Sequence, residues 1–437
     1  MDFIKVLFFI FITREVRAQF VDVSEVIFPL ENPDDYSPEY SIIKAQMKIS
    51  FSIEDSIRRV RNATAYQERQ KSNQIQVFDF VGLVQQYEGY VAEEHTVTTL
   101  DGYNLILHRI PRSNTPQISN QTQVVFIQHG LFLSSDAFVL QGPNKDLAFR
   151  LADKGYDVWF GNARGNAYSR SHKFYNPNHN DFWRFSFDEV GRIDFKYSID
   201  YILSVTKTSR LTIIGYSIGA TESYVFLSEH PEYNDKVNLL ISVSPLGFWS
   251  RPTPEEKEKI YGIAKQIDLV RKKTHKEEMY PLTSFTQQFW KNLCSPDNDQ
   301  ESQDVCDFVV NSFFGSMNTT YEKDLIKRIM QYIPAGTSAK TLLHLLQTMD
   351  HGTFKKYEHK IGTAKNYNLT AITVPTAIFS ACNDQFVIQK DCATLKASIP
   401  NSVIFKLFKN ETVKIDYLDL LWHEDIDMIN DSILKLL

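Results

Sequence analysis

Basic charge is scarce in this chain. Its 47 Lys and Arg stand against 53 Asp and Glu, for a net charge of -6. Without a cationic face to neutralise phosphate, nucleic acid is set aside as a partner. Long apolar runs are lacking too. The block Val6–Ile12 is too short to cross a bilayer and no later run is long enough, so no transmembrane segment is expected. Cysteine is sparse, with four residues, Cys294, Cys306, Cys382 and Cys392, in two close pairs. No second Cys or His lies at zinc-finger spacing beside either pair, which argues against a structural metal. The loop Gly161-Asn-Ala-Arg-Gly165 lacks G-x-G-x-x-G spacing. A dinucleotide is therefore rejected, and no cofactor is expected.

What is present is an ordinary globular composition in 437 residues, enough for a full α/β core plus an inserted subdomain. The N-terminus, a lysine, an apolar block and then Val16-Arg-Ala18, reads as a signal peptide over residues 1–18. Six glycosylation sequons, at Asn62, Asn120, Asn318, Asn368, Asn410 and Asn430, fit a secretory route, and the product is expected to be secreted or lumenal. An oxidising compartment permits disulfides. Four cysteines allow three pairings, of which neighbour pairing is expected; closing the short Cys294–Cys306 loop contributes about 3 kcal/mol in the chain-entropy treatment.

Residues 19–77 are polar and weakly patterned and read as a flexible or propeptide-like lead-in. Asp101-Gly102 between two alternating runs, Glu93–Leu100 and Tyr103–Ile110, predicts a β-hairpin. Gln123–Gln128, Tyr156–Phe160, Leu211–Tyr216, Leu239–Ser244, Thr376–Ser380 and Ser402–Leu407 predict strands. Asn144–Asp153, Glu189–Val205 and Ile426–Leu437 predict helices. Strands alternating with helices imply a mostly parallel sheet with helices on both faces. From 247 to 361 the alternation stops and the pattern turns helical, as an insertion over the sheet would. The core is then 78–246 together with 362–437.

The centre of the chain is Gly215-x-Ser217-x-Gly219, where a β-branched apolar run ends and a helical pattern begins. Strand, sharp turn and helix in that order describe a nucleophile elbow, with the Ser217 hydroxyl displayed at a strand end and the Ile218 N–H beside it.

Several stretches together resemble the acid-lipase family, which includes gastric and lysosomal acid lipases. They are Asp101-Gly-Tyr-Asn-Leu-Ile-Leu-His-Arg-Ile-Pro111, Gln128-His-Gly-Leu131, Gly155–Gly165, the elbow, and Pro334-Ala-Gly-Thr-Ser338 with His344. The resemblance runs from about Phe78 to the C-terminus. It implies an α/β-hydrolase fold, an inserted helical cap that contacts lipid surfaces, and hydrolysis of neutral lipid esters by a Ser–Asp–His triad. On this chain the nucleophile maps to Ser217, the acid to Asp384, and the oxyanion donors to the backbone N–H groups of Leu131 and Ile218.

The histidine does not map. Where the family carries His five residues before a Trp, this chain has Tyr417-Leu-Asp-Leu-Leu-Trp422. A phenol with a pKa of about 10 is protonated at neutral pH and cannot take the serine proton. His423 lies six residues on, about 9 Å along a helix, and reaches Ser217 only if the last loop is reshaped; otherwise it reads as a surface residue opening the final helix. His129 belongs to the oxyanion segment, and His172, His179, His344 and His351 read as structural or exposed. Two expectations follow: a lipid-ester hydrolase with His423 as base, or a lipase homologue without turnover that binds lipid or a partner through the same pocket. Leu342, Leu343, Leu345 and Leu346 form either a lipid-facing stripe or an internal packing face, and the second is favoured.

Overall fold

A computed structural model describes residues 79–112, 123–246, 253–294, 300, 302–304, 306, 323–359, 362–381, 384, 389–408, 415, 417–423 and 425–437. The leader, the lead-in and Cys382 lie outside these residues.

After a short helix α1 (Phe80–Gln85), the hairpin expected around Asp101-Gly102 forms as β1 (Glu93–Thr98) and β2 (Tyr103–Ile110), antiparallel with Thr98 opposite Asn104. Next come β3 (Val124–Gln128), α2 (Leu147–Asp153), β4 (Asp157–Gly161) and the two-residue β5 (Ser171–His172). Helix α2 starts later than the pattern suggested. The Asp146 side chain accepts from the Gln141 and Gly142 N–H groups and so closes the preceding turn as non-helical backbone.

The expected helix 189–205 is α3 (Phe195–Thr206), preceded by a capping box at Ser186 and Glu189 and a π-helical segment over Val190–Asp194. Gly191 explains the irregularity. A Cβ there would stand 2.6 Å from the Glu222 carbonyl, so this segment is pressed directly onto the elbow helix. Then follow β6 (Leu211–Tyr216), α4 (Ile218–Glu229) and β7 (Val237–Val243). The 253–359 stretch holds helices α5 (Pro254–Thr274), α6 (Ser284–Leu293), α7 (Lys323–Ile329) and α8 (Ala339–His351). It also holds a small antiparallel pair, β8 (Glu278–Met279) with β9 (Thr337–Ser338), that the helical pattern did not show. The chain closes with β10 (Thr376–Ala381), α9 (Gln389–Ser398), β11 (Ser402–Phe408), α10 (Asp419–Trp422) and α11 (Asp427–Leu434).

The main sheet runs β1-β2-β4-β3-β6-β7-β10-β11, with β5 paired to β2 and every neighbour from β4 to β11 parallel. The chain moves outward from β3 to β4 and then crosses to β6 on the other side of β3. A reversal of this kind opens a crevice beyond the carboxyl ends of β3 and β6, the place where such sheets carry chemistry. Alternation along each strand feeds two cores. Val125, Ile127 and Ile214 face one and Val124, Phe126 and Ile213 the other, so the strands are buried on both sides.

Cys294 and Cys306 are bridged. Neighbour pairing does not hold for the second pair: Cys392 is a free thiol, packed from α9 into the core beneath the sheet, where burial raises its pKa to about 12. The sequon at Asn430 is also closed in the folded chain. Its side chain is buried and donates to the Lys145 carbonyl at 2.7 Å, whereas Asn368 is exposed. Leu342, Leu345 and Leu346 are buried, so this part of α8 packs inward. Among the described residues no helix is long and apolar enough to cross a membrane.

Candidate active site

Ser217 joins β6 to α4 with φ 56° and ψ -119°, a left-handed conformation that costs an L-residue free energy and persists only where packing imposes it. Its N–H donates to the Val243 carbonyl of the neighbouring strand at 2.8 Å. The flanking glycines are required by contact. A Cβ at Gly215 would lie 2.5 Å from Ala220 Cα, and one at Gly219 would lie 2.5 Å from the Gln128 carbonyl oxygen. The elbow is therefore clamped against the end of β3.

At that end, His129-Gly130-Leu131 turns across the elbow. His129 is buried and neutral, its pKa lowered to about 4 by burial, with its hydrogen bond to Gly130 opposing the shift. The Ala163 N–H donates to Nε2 at 3.0 Å, so the proton sits on Nδ1 and is donated to the Gly130 carbonyl at 2.8 Å. This imidazole shapes the segment and is not available as a base. Leu131 and Ile218 line one crevice together with Glu222, Arg164, Gly336 and Thr341. Ile218 opens α4, whose first N–H groups lack intrahelical acceptors. The crevice encloses about 20 Å³, room for one water-sized molecule and far short of an acyl chain.

Asp384 follows β10 and is 5% exposed; the Ser244 hydroxyl donates to its Oδ2. Ser244 directly follows β7 with φ 49°, a second non-glycine residue held in the left-handed region at this rim. Tyr417 stands beside Ser217. Its hydroxyl is hydrogen-bonded to Ser217 and lies 3.0 Å from where a Cβ of residue 130 would be, which explains a glycine there. Burial pushes the phenol pKa far up, the Asp384 charge adds to the rise, and the bonds to Ser217 and Tyr216 oppose it. Tyr417 therefore stays protonated and cannot take up a proton as a base. The Tyr216 hydroxyl donates to the Tyr417 carbonyl at 2.6 Å, and the two rings lie 5.2 Å apart. Tyr216 thus anchors the loop that carries Tyr417, a role the sequence did not suggest.

Ser217, Tyr417 and Asp384 are brought together; His423 stands apart from them in its bonding. It lies between α10 and α11, and it is buried, so the surface reading is corrected. Its Nδ1 accepts the Asp425 N–H at 2.9 Å, and its Nε2 is buried without a hydrogen-bond partner among the described residues. The tautomer is fixed by that acceptor: Nδ1 is engaged and Nε2 carries the proton. The remaining histidine candidates are bonded elsewhere or exposed. His344 is bonded to Ser186 Oγ and the Lys355 carbonyl, and its pKa is lowered to about 4, chiefly by burial. His351 pairs with Glu358, His172 contacts the Asp101 carbonyl, and His179 is exposed. Among the described residues no group of His, Cys, Asp and Glu is arranged to hold a metal ion.

Two family models match the chain: the partial alpha/beta-hydrolase lipase region over residues 82–142, and the alpha/beta hydrolase fold over residues 123–411. The chain is 33% identical to Lipase 1 of Drosophila melanogaster over 349 residues, which cover 77% of this chain and 74% of that protein. It is 32% identical to gastric triacylglycerol lipase of Bos taurus, over 78% of this chain and 86% of that one. Among solved structures, a hypothetical protein of Pseudomonas aeruginosa superposes with a TM-score of 0.51 at 12% identity, covering 84% of this chain and 100% of that chain, a likeness of fold alone.

Proposed function

The chain belongs to the acid-lipase family of α/β hydrolases, and on that premise we propose that it is a carboxylic ester hydrolase acting on neutral lipids, acylglycerols or sterol esters. The observation that carries this is Ser217, held in a left-handed conformation at the carboxyl end of β6 beside the oxyanion segment. Ser217 Oγ attacks the ester carbonyl. Its proton passes to a base, the N–H groups of Leu131 and Ile218 hold the oxyanion, the alcohol leaves with that proton, and water releases the acid. Asp384 is the acid that orients the base.

His423 serves as that base once the tail beyond Tyr417 shifts to free its imidazole. Residues 247–361 form the cap, which must move before an acyl chain enters a crevice of about 20 Å³, and which then meets the lipid surface. Residues 1–18 direct the chain to a secreted or lumenal compartment, where the Cys294–Cys306 bridge is stable. No cofactor takes part.

One observation favours a second reading: the base position holds a phenol bonded to Ser217. A serine without its base retains only about 10³–10⁴-fold catalysis over water. The chain would then bind lipid esters, or a partner, without turnover. Fluorophosphonate labelling separates the two. Labelling at Ser217 that disappears in His423→Ala supports hydrolysis with His423 as base. A folded, unlabelled protein that still binds an ether analogue of an acylglycerol selects the second reading.

A further inference from the structure

Every residue of α4 from Ile218 to Ser228 is buried, and among them is a carboxyl group, Glu222, 3% exposed. It is hydrogen-bonded to the Gln128 side chain. Its Oε2 has no hydrogen-bond partner among the described residues, and the residue borders the crevice that Leu131 and Ile218 line. Gln128 is the last residue of β3 and directly precedes His129-Gly130-Leu131. We infer that Glu222 is a positioning residue for the oxyanion segment: it ties the elbow helix to the end of β3, so that the Leu131 and Ile218 amides keep their relative placement. Its consequence for catalysis rests on the hydrolase reading above.

The tie sits where the two backbones already meet. A Cβ on Gly219 would lie 2.5 Å from the Gln128 carbonyl oxygen and 2.7 Å from that of His129. A small displacement at this seam would change the oxyanion geometry directly. The titratable neighbours come from three segments: His129 after β3, Arg164 after β4, and Asp194 from the π-helical segment. His129 is neutral and Asp194 is an acid, while Arg164 is bound on both sides by Asp101 and Asp194. Among the described residues that face it, no cation is left over for a carboxylate at 222. Burial, reinforced by the Asp194 charge, keeps its proton on well beyond the pH at which an ordinary glutamate loses it. The tie is thus a neutral one, and ionisation would leave an unpaired charge beside the oxyanion segment.

Amide hydrogen exchange at residues 129–131 of the full chain, from acid to alkaline pH and corrected for intrinsic rates, tests this without requiring turnover. Glu222→Gln keeps an uncharged hydrogen-bonding group. It should match the wild type in acid and lack the wild type's acceleration as the pH rises. Glu222→Leu should exchange about tenfold faster at these amides, with no matching change in β10 and β11. Equal exchange at 129–131 in all three proteins, or a uniform change across the sheet, overturns the proposal. Should Glu222→Leu not fold, the comparison of wild type with Glu222→Gln decides alone. Absence of ester hydrolysis in every protein would overturn the hydrolase reading and leave this result standing.

Discussion

The Ser244 hydroxyl donates to the Asp384 carboxylate, the group to which a triad histidine would donate its Nδ1–H. The two ends of the site are therefore satisfied separately: Asp384 by Ser244, and Ser217 by Tyr417. Each bond engages one hydrogen-bonding site of its group. On the proposed roles, a base brought to position 417 would meet Ser217 already in place and Asp384 already bonded.

If the wild type lacks a working base, Tyr417→His is expected to raise esterase activity by roughly 10²–10⁴-fold, the range spanned by a positioned general base, whereas with His423 as base the gain should be small. Adding Ser244→Ala should raise kcat further by freeing the Asp384 oxygen, while Ser244→Ala alone should gain nothing. Hydrolysis of a short-chain ester by the three variants checks the order. A folded Tyr417→His protein with unchanged activity would show that position 417 is not the base position.

Asp146 gives a pH dependence of definite sign. It is buried, its Oδ2 accepts two backbone N–H groups, and burial raises its pKa from 3.8 to about 7. Between those values the folded chain holds a proton that the unfolded chain has released. Its contribution is full below 3.8 and is lost as the pH rises towards 7. Three buried histidines work the other way: His108 is lowered to about 3, and His129 and His344 to about 4. They remain neutral in the folded state and penalise it as the pH falls below the ordinary histidine value of 6.5. The two sets oppose one another, but the histidines outnumber the carboxyl, so these groups together lower stability as the pH falls from about 6.5 towards 4. Asp146→Asn isolates one side. Its melting temperature relative to the wild type should be higher at pH ~8 than at pH ~4.5, and a difference independent of pH would refute the assignment.

Much of this architecture was legible in the residues because its signals are local and steric. Gly215-x-Ser217-x-Gly219 could be read as an elbow since only glycine tolerates the Ala220 and Gln128 contacts, and Asp101-Gly102 marked the hairpin through its turn chemistry. Ser244 and Glu222 were not legible. Ser244 looked like the tail of a strand, and its partner Asp384 is 140 residues away. Glu222 sat within a helix whose uniform burial leaves no amphipathic stripe to expose an anomaly. The β8–β9 pair was missed because two residues carry no period. His423 was misjudged as exposed because its burial depends on how α10 and α11 fold back, which local pattern does not encode.

Arg164 carries the last prediction. It is fully buried, with Nη1 on Asp101 at 2.6 Å, Nε on Asp194 at 2.9 Å, and its guanidinium 4.0 Å over the Tyr103 ring. It ties the hairpin turn to the segment before α3, beside the crevice. Removing one partner of a buried pair leaves the other charge uncompensated, at a cost of about 3–5 kcal/mol. Arg164→Met should therefore destabilise the chain by that order in denaturant unfolding. The loss should also depend on pH. Burial already raises the Asp194 pKa to about 6 with the guanidinium opposing it, so without Arg164 this carboxyl takes up a proton more readily. In acid it becomes neutral and the penalty shrinks. The stability gap between wild type and Arg164→Met is thus expected to be wide above pH ~7 and narrower at pH ~5; a gap that widens in acid would mean that Asp194 is not the charge left behind.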